Sequence, residues 1–403
     1  MKVLLLTPFY RPDNYGGAVQ VYESLLKNQN FHAHIICPKA SVNSPSMDDV
    51  EYYNKTDTHI HRCPKIQFSY SSKSIVRRIS DFILYRRTIR KEILKTINEI
   101  QPDIIINGGV RWFSWMNNDF IKIAPVINYI HGEELSIKPV GLFGKWLLKT
   151  QNNSFSNVNL NLCVSSYTAN KVLEISSRAK VSVLTNFVDT ERYYPVDNKS
   201  ELKIKHKLES KVSLICVCRL IKRKGVDDLL YALKKIKSDG SKIYSVVLNV
   251  CGSGPELDSL KALSIRLGLA EIVEFHGFTD ESVMLELLQA SDIFIMPNKT
   301  VDGDLEGFGL VFLEANACGL PVIGGSSGGV IDAIEDGVSG LLIEPGSIES
   351  ISKNLIKLID DEIYRDSLGQ QGKTRAQNNF SLNRKRTEFY EVLSNVEKGE
   401  DLA

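Results

Sequence analysis

Short β-branched runs alternate with helical patterns along almost the whole of this chain, and the alternation begins twice. Apolar strands at 3–6, 34–37, 104–106, 126–130 and 160–164 are followed, after residue 210, by Val212 to Val217, Val246 to Val250, Ile272 to Phe275 and Ile293 to Met296. Strands that alternate with helices pair in parallel and bury both faces, so the pattern predicts an α/β protein with parallel sheets covered by helices. At 403 residues the chain is too long for one core, and two domains of roughly 200 residues each fit it. The join falls at Asp189 to Glu201, where Pro195, Asp197, Asn198, Lys199 and Ser200 make a polar stretch. The expected organisation is an N-terminal domain over 1–190, a linker over 191–210, a second domain over 211–379 and a final helix in 380–403. Two facing Rossmann-like domains place a ligand in the cleft between them.

Composition removes several function classes. A formal charge of +1 argues against whole-molecule attraction to nucleic acid. The seven cysteines show no C-x-x-C run and no metal-ligand spacing with histidine. Cys216 and Cys218 alternate with Val217 in a strand and read as small apolar core residues, which points to a reducing, cytoplasmic compartment. The run Val3-Leu4-Leu5-Leu6 after Lys2 is ended by Thr7-Pro8, too soon for the apolar region of a signal peptide. No apolar run reaches the length of about 18 residues needed to span a bilayer.

The densest chemistry lies in Glu306-Gly307-Phe308-Gly309-Leu310-Val311-Phe312-Leu313-Glu314, two carboxylates separated by seven residues. If Phe312 to Cys318 is helical, Gly307 and Gly309 sit at the helix entry, where backbone N–H groups are free to face an anion. Glu306 then precedes the helix and Glu314 lies about two turns inside it. A carboxylate accepts from two vicinal hydroxyls, so this spacing suits a ligand with a sugar ring at each end of a diphosphate. A solvated pair around an ordinary helix start is the plain alternative.

The flanks decide between them. Met296-Pro297-Asn298 precedes the pair, Ala315-Asn316-Ala317-Cys318-Gly319-Leu320-Pro321-Val322-Ile323-Gly324 follows, and Gly328-Gly329 and Asp336-Gly337-Val338-Ser339-Gly340 come next. The block 291–345 resembles the donor-binding core of the retaining glycosyltransferases of family 4, which have the two-domain GT-B fold. Other segments fit the same resemblance over nearly the whole chain. The strand Val3 to Leu6, then Gly16-Gly17, then a helix with Val19, Val21, Leu25 and Leu26 is a phosphate-binding layout, although it also occurs with no ligand. In the family this loop lies over the donor diphosphate and the acceptor. His131 ends the strand Val126 to Ile130, and the resemblance puts its imidazole on a sugar hydroxyl and its carbonyl against the cationic face of the reacting carbon. Arg219 and Lys224 sit between an apolar strand and the helix of Leu229, Leu230 and Leu233. A cationic pair there neutralises a leaving nucleoside diphosphate. The loop Cys251-Gly252-Ser253-Gly254 borders the base and ribose in the family, and Phe278 follows the next strand. A plain β-to-α turn is the alternative for Gly252.

The resemblance implies the following roles. Glu306 holds the donor sugar and Glu314 the ribose diol. Arg219, Lys224 and the backbone N–H groups of Gly16, Gly17 and the turn Gly307, Phe308, Gly309 and Leu310 hold the diphosphate. His131 supports positive charge at the anomeric carbon. No side chain stands out as a covalent nucleophile, so same-face displacement assisted by the leaving phosphate is expected. Asp302-Gly303-Asp304 resembles the metal chelate of a different glycosyltransferase class, but here reads as loop, with no metal and no cofactor expected. The partners expected are a nucleoside-diphosphate sugar, UDP-hexose first and GDP-mannose next, and a sugar or lipid-linked sugar acceptor, with no nucleic acid. A GT-B sugar-nucleotide epimerase and a non-catalytic sensor are the alternatives. The absence of G-x-G-x-x-G after the first strand sets aside a dinucleotide oxidoreductase.

Over 73–95, Ile75, Ile79, Phe82, Ile89 and Ile93 recur at helical spacing among Arg77, Arg78, Arg86, Arg87, Arg90, Lys91 and Lys95. Two readings stay open: a basic helix resting on an anionic membrane surface, and a core-packed helix with a solvated face. Trp112 and Trp115 stack on an acceptor sugar in one reading and fill the core in the other.

Overall fold

The computed structural model describes residues 1–10, 16–27, 30–39, 58–63, 75–136, 141–209, 211–239 and 245–400. These form two compact units. The first contains Met1–Val164, Thr168–Leu184 and Arg386–Ala403, the second Ser165–Tyr167 and Thr185–Lys385.

In the first unit, β1 (Lys2–Leu6), β2 (His32–Pro38), β3 (Thr58–Cys63), β4 (Ile104–Asn107), β5 (Val126–Ile130), β6 (Leu160–Cys163) and β7 (Val181–Val183) form one sheet. Its order is β3-β2-β1-β4-β5-β6-β7 and every pairing is parallel. Val3, Leu4, Leu5 and Leu6 are fully buried, as a parallel strand covered on both faces requires. The helix Ile75–Ile100 lays Ile89, Ile93, Ile97 and Ile100, spaced three or four apart, against Leu4, Leu6 and Ile36. The helix Leu382–Lys398 brings Phe389 within 5.9 Å of Phe31 and 6.2 Å of Tyr129, and Arg386 donates to Ser24 O at 2.8 Å.

A polar ladder crosses this core. Asn107, Asn128 and Asn161 stand in register on β4, β5 and β6 and are all buried. Asn107 Nδ2 donates to Asn128 Oδ1 at 3.3 Å, and Asn128 Nδ2 donates to Asn161 Oδ1 at 3.0 Å and to Ser154 Oγ at 3.2 Å. A one-residue slip would leave these amides without partners, so the ladder fixes the register of three strands.

In the second unit, β8 (Val212–Val217), β9 (Val246–Cys251), β10 (Val273–Gly277), β11 (Ile293–Met296), β12 (Val322–Gly325) and β13 (Gly340–Ile343) are all parallel, in the order β10-β9-β8-β11-β12-β13. The order reverses between β8 and β11. Ligands of open α/β sheets bind beyond the carboxyl ends of the strands at such a reversal. The stretch 191–210, expected to be a linker, belongs to this unit. Its helix Lys199–Lys205 is tied to the sheet by Lys203 and Lys199, whose Nζ atoms stand 2.6 Å and 3.0 Å from the Asp292 carboxylate.

The ladder yields a stability prediction. Asn128→Ala removes the donor to Asn161 Oδ1 and one acceptor of Asn107 Nδ2 in the core, and the first unit should lose about 1–3 kcal/mol. Denaturant titration of the full chain reads it, and an unchanged first transition would contradict it.

Candidate donor site

The loop beyond β11 is built to present Glu306. Asn298, buried at its start, accepts from Gly325 N at 3.1 Å and so joins the ends of β11 and β12. Val301 and Asp304 then exchange backbone hydrogen bonds of 3.0 Å and 2.8 Å around Asp302 and Gly303. The carbonyl of Glu306 accepts from Gly329 N at 2.9 Å, which fastens the loop to the turn after β12. The helix that follows is Leu310–Ala317, two residues earlier at its start than the sequence suggests. Gly309 caps it at φ +89°, where a Cβ would come within 2.6 Å of the Phe312 ring. Phe312 N donates to Gly309 O at 3.1 Å, so Leu310 and Val311 carry the N–H groups that a helix does not itself satisfy. Glu314 therefore lies little more than one turn inside.

The partners of Glu306 come from the loop beyond β8, the other side of the reversal. Lys222–Lys224 is a single 3-10 turn closed by Gly225 at φ +70°, where a Cβ would lie 2.0 Å from Pro297 O. Only glycine allows the two loops to touch this closely. Lys299 adds a second tie, donating from its backbone to Arg223 O at 2.8 Å and from Nζ to Asp228 at 2.7 Å. Lys224 Nζ donates to Glu306 Oε2, and Arg223 Nη1 donates to the same oxygen at 2.6 Å. The side chains of Lys224, Arg223 and Glu306 are only 11%, 13% and 12% exposed. Burial alone raises the Glu306 carboxyl, but Lys224 and Arg223 outweigh it and bring it down to about 2. Arg223 Nε also stands 3.1 Å from Asp304 Oδ2, so one carboxylate of the Asp-Gly-Asp run is held by this cation.

Glu314 has the opposite electrostatics. Burial lifts its carboxyl to about 7 against a hydrogen bond from the Tyr193 hydroxyl and the charge of Arg192. Arg192 in turn donates to Glu281 Oε2 at 2.8 Å. Two carboxylates seven residues apart are thus tuned in opposite directions.

The remaining expected residues fall at several places. Lys224 and the turn Gly307 to Leu310 are brought together with Glu306. Arg219 is exposed in the loop after β8, and the cation that joins Lys224 on Glu306 is Arg223. Gly252 donates to Gly277 O at 2.8 Å, and Ser253 O accepts from Leu220 N at 2.9 Å, so the loops after β8, β9 and β10 are laced together. Phe278 projects there, 85% exposed. Arg223, Arg192 and Tyr193 carry no motif of their own in the sequence. Arg223 is legible there as a second cation beside Lys224, whereas Arg192 and Tyr193 lie in a polar stretch with the composition of a linker.

In the first unit, Gly16 caps the helix Gly17–Leu26. His131 follows β5, with ring centroids 5.0 Å from Tyr22 and 4.7 Å from Tyr129. Its Nε2 is buried with no hydrogen-bond partner among the described residues. Burial pushes the imidazole down to about 3, so it is neutral. Nearby Glu134 accepts from Gly132 N at 3.0 Å and is lifted by burial to about 7.

The Trp115 ring carries the Arg86 guanidinium 4.6 Å from its centre, and Trp146 holds the same group at 4.7 Å. This takes Trp115 into a cation–π sandwich rather than offering it to a sugar. Along the helix Ile75–Ile100, Arg87, Arg90, Lys91 and Lys95 are exposed opposite the buried isoleucines, and Arg90 forks onto Asp119 at 2.9 Å and 2.7 Å. The side chains of Ile75, Arg77, Arg78, Ile79 and Phe82 lie outside the described residues. No helix among the described residues is long and apolar enough to cross a membrane.

Comparison with known proteins fits this geometry. Residues 198–375 match the family model "Glycosyl transferases group 1" and residues 15–192 match "Glycosyltransferase Family 4". The GDP-mannose-dependent alpha-(1-6)-phosphatidylinositol monomannoside mannosyltransferase of Mycolicibacterium smegmatis is 31% identical over 97% of this chain and 98% of its own length. The enzyme of the same name from Mycobacterium tuberculosis is 33% identical, and there the match spans 52% of this chain and 55% of the relative. Among solved structures, Anabaena HepE in complex with UDP and glucose aligns over 98% of this chain and all of that one, with a TM-score of 0.77 at 20% identity. The two parallel-sheet domains thus have the GT-B fold, and the chain belongs to glycosyltransferase family 4.

Proposed function

We propose that this glycosyltransferase moves a mannosyl group from GDP-mannose to a hydroxyl of a lipid-linked sugar acceptor, with retention of the α configuration and without a metal ion. The carrying observation is the buried set of Glu306, Lys224 and Arg223 at the strand-order reversal, beside the amide-rich start of the helix Leu310–Ala317. A diphosphate arriving there exchanges one anionic partner of the cations for another. Lys224 and Arg223 move onto the leaving diphosphate, with Arg219 free to join at the exposed rim, while Glu306 turns its oxygens to the sugar hydroxyls. Glu314 accepts the ribose diol. Arg223 holds Asp304, and the cations and helix amides supply the charge a metal would otherwise bring. The role that the resemblance gives His131, partner to a sugar hydroxyl, suits a neutral imidazole with an uncommitted buried nitrogen. The sequence by itself favours a UDP-hexose. The name of the full-length mycobacterial relative supports GDP-mannose instead, and a phosphatidylinositol mannoside-like acceptor.

Nucleotide release from GDP-mannose and from UDP-hexoses, in EDTA and with a mannolipid acceptor, tests the reading. GDP release is expected, and Glu306→Ala or Lys224→Ala should each reduce it by more than about 100-fold while the chain stays folded. Near-normal rates in either variant, strict Mg²⁺ or Mn²⁺ dependence, or turnover of UDP-hexose alone would contradict it. A changed nucleotide sugar without acceptor would indicate an epimerase, and tight binding without release under all acceptors a sensor.

Glu314 sets a pH dependence. Its carboxyl is protonated below about 7 and ionised above, so affinity for GDP-mannose should rise through neutral pH and level off beyond it. Intact GDP-mannose has no phosphate titrating in this range. Calorimetry from pH 6 to 8 should show the slope in the wild type and its loss in Glu314→Gln, and a flat wild-type profile would count against Glu314 as the ribose acceptor.

A membrane contact is part of the proposal, in restricted form. Ile89, Ile93, Ile97 and Ile100 are used in the core, so among the described residues the contact rests on the exposed charges of Arg87, Lys91 and Lys95, with Arg90 already paired to Asp119. Binding to anionic vesicles should therefore disappear as salt is raised. Flotation that is independent of anionic lipid or of salt would refute an electrostatic contact.

A further inference from the structure

Glu134 has no task in the chemistry above, yet it is built into the loop that carries His131. That loop turns back on itself at Gly132, with φ +105°, a conformation that side chains other than glycine's rarely allow. The turn lets the Glu134 carboxylate accept from Gly132 N at 3.0 Å. The backbone N–H groups of Glu134 and His131 donate to it as well. The backbone of Glu134 is anchored in turn by Gln151, fully buried on the helix Gly141–Asn157, whose Nε2 donates to Glu134 O at 3.1 Å. Leu135 N closes the loop by donating to Gly132 O at 3.0 Å. The imidazole is fixed separately, against the rings of Tyr22 and Tyr129, and the Tyr22 hydroxyl donates to Gly108 O at 3.0 Å. The tyrosines thus set the side chain of His131 and Glu134 sets its peptide.

A trans peptide points its N–H and its C=O in opposite directions. With the Gly132 N–H on Glu134, the His131 carbonyl is aimed away from the carboxylate. A negative charge at the N–H end of a peptide also polarises it, driving electron density towards the oxygen. Ionised Glu134 therefore both orients this carbonyl and makes it more negative.

We propose that Glu134 is a positioning residue for the transfer, holding the His131–Gly132 peptide so that the His131 carbonyl faces the reacting sugar carbon and is strengthened by the carboxylate charge. The role rests on the transfer proposed above, with His131 at the donor sugar. In that transfer the bond from the anomeric carbon to the phosphate oxygen breaks, the acceptor oxygen takes its place, and the acceptor proton leaves on the diphosphate. Glu134 gives and takes no atom. The sugar carbon is most positive when neither bond is complete, so the contribution falls on the transition state and not on donor binding.

Burial lifts the Glu134 carboxyl to about 7 against its backbone hydrogen bonds, and the exposed Glu133 adds to the lift. The tyrosines, Cys163 and His131 around it stay clear of this range. Burial raises the Tyr22 and Tyr129 hydroxyls, takes the Cys163 thiol on β6 up to about 12 and holds His131 at about 3. Gln151 carries no charge.

Glu134→Gln keeps an acceptor for Gly132 N and removes the charge. Single-turnover nucleotide release with the mannolipid acceptor is followed from pH 6 to 8, at saturating levels of whichever sugar nucleotide the wild type cleaves, so that the proton effect on affinity expected of Glu314 drops out. The wild-type rate should rise through about 7. At pH 8 the variant should be slower by at least about 10-fold, part of the roughly 100- to 1,000-fold that loss of a directly contacting group costs, with a flat profile and an unchanged Kd for the sugar nucleotide. Glu133→Gln should keep the wild-type profile. Nuclear magnetic resonance of glycine-labelled chain reads the charge without turnover: the Gly132 amide proton should shift with a midpoint near 7 in the wild type and not in Glu134→Gln. A variant that loses rate and donor affinity equally or keeps the pH profile, or a Gly132 amide that does not titrate, would overturn the proposal. Release in the wild type with an unaltered Glu134→Gln sinks the role of Glu134 alone, whereas no release from any donor in the wild type sinks the transfer and this role together.

Discussion

The ion cluster of Glu306 with Lys224 and Arg223 is the interaction around which the second unit is arranged. Buried charge of either sign is expensive alone, and removing one partner leaves the others uncompensated. The loops beyond β8 and β11 therefore have to arrive together. Gly225 against Pro297, Lys299 across Arg223 and Asp228, and Gly329 under the Glu306 carbonyl are the devices that hold them. They converge where the strand order reverses, so topology brings both loops to the same edge before any side chain is chosen.

The cluster also sets the two glutamates of one motif in opposite electrostatic states. Glu306 is held ionised by two cations, whereas Glu314 faces mainly a hydroxyl and is lifted towards neutrality by burial. A permanently charged acceptor suits sugar hydroxyls beside a diphosphate. In the proposed site, a carboxyl poised near neutral pH makes ribose binding sensitive to protons. The same contrast occurs in the first unit, where burial keeps His131 neutral and Glu134 close to its midpoint.

Much of this was legible in the sequence because apolar strand runs, glycine turns and paired carboxylates are local signals. The strands of continuous Val, Ile and Leu stand out in the sequence, as does the Glu306–Glu314 motif. The strands β3, β7, β12 and β13 do not. β3 reads Thr-His-Ile-His-Arg-Cys, half-polar at a sheet edge, β7 is three residues long, and β12 and β13 carry glycines that ordinarily mark turns. Partners distant in sequence were equally hidden. Tyr193 meets Glu314 and Arg86 meets two tryptophans only through the fold. Polar composition at 191–210 read as linker because its lysines find Asp292 and Glu286 some eighty to ninety residues later. The asparagine ladder shows the same limit, since each amide looks unremarkable until three strands align.

In the proposed site Glu306 serves the sugar while Lys224 and Arg223 serve the diphosphate. Calorimetry of GDP and of GDP-mannose against the wild type and Glu306→Gln separates the two roles. The variant is expected to bind GDP at least as well as the wild type, because its cations are released, while the affinity of GDP-mannose relative to GDP falls. Loss of GDP affinity with an unchanged ratio of the two ligands would contradict it.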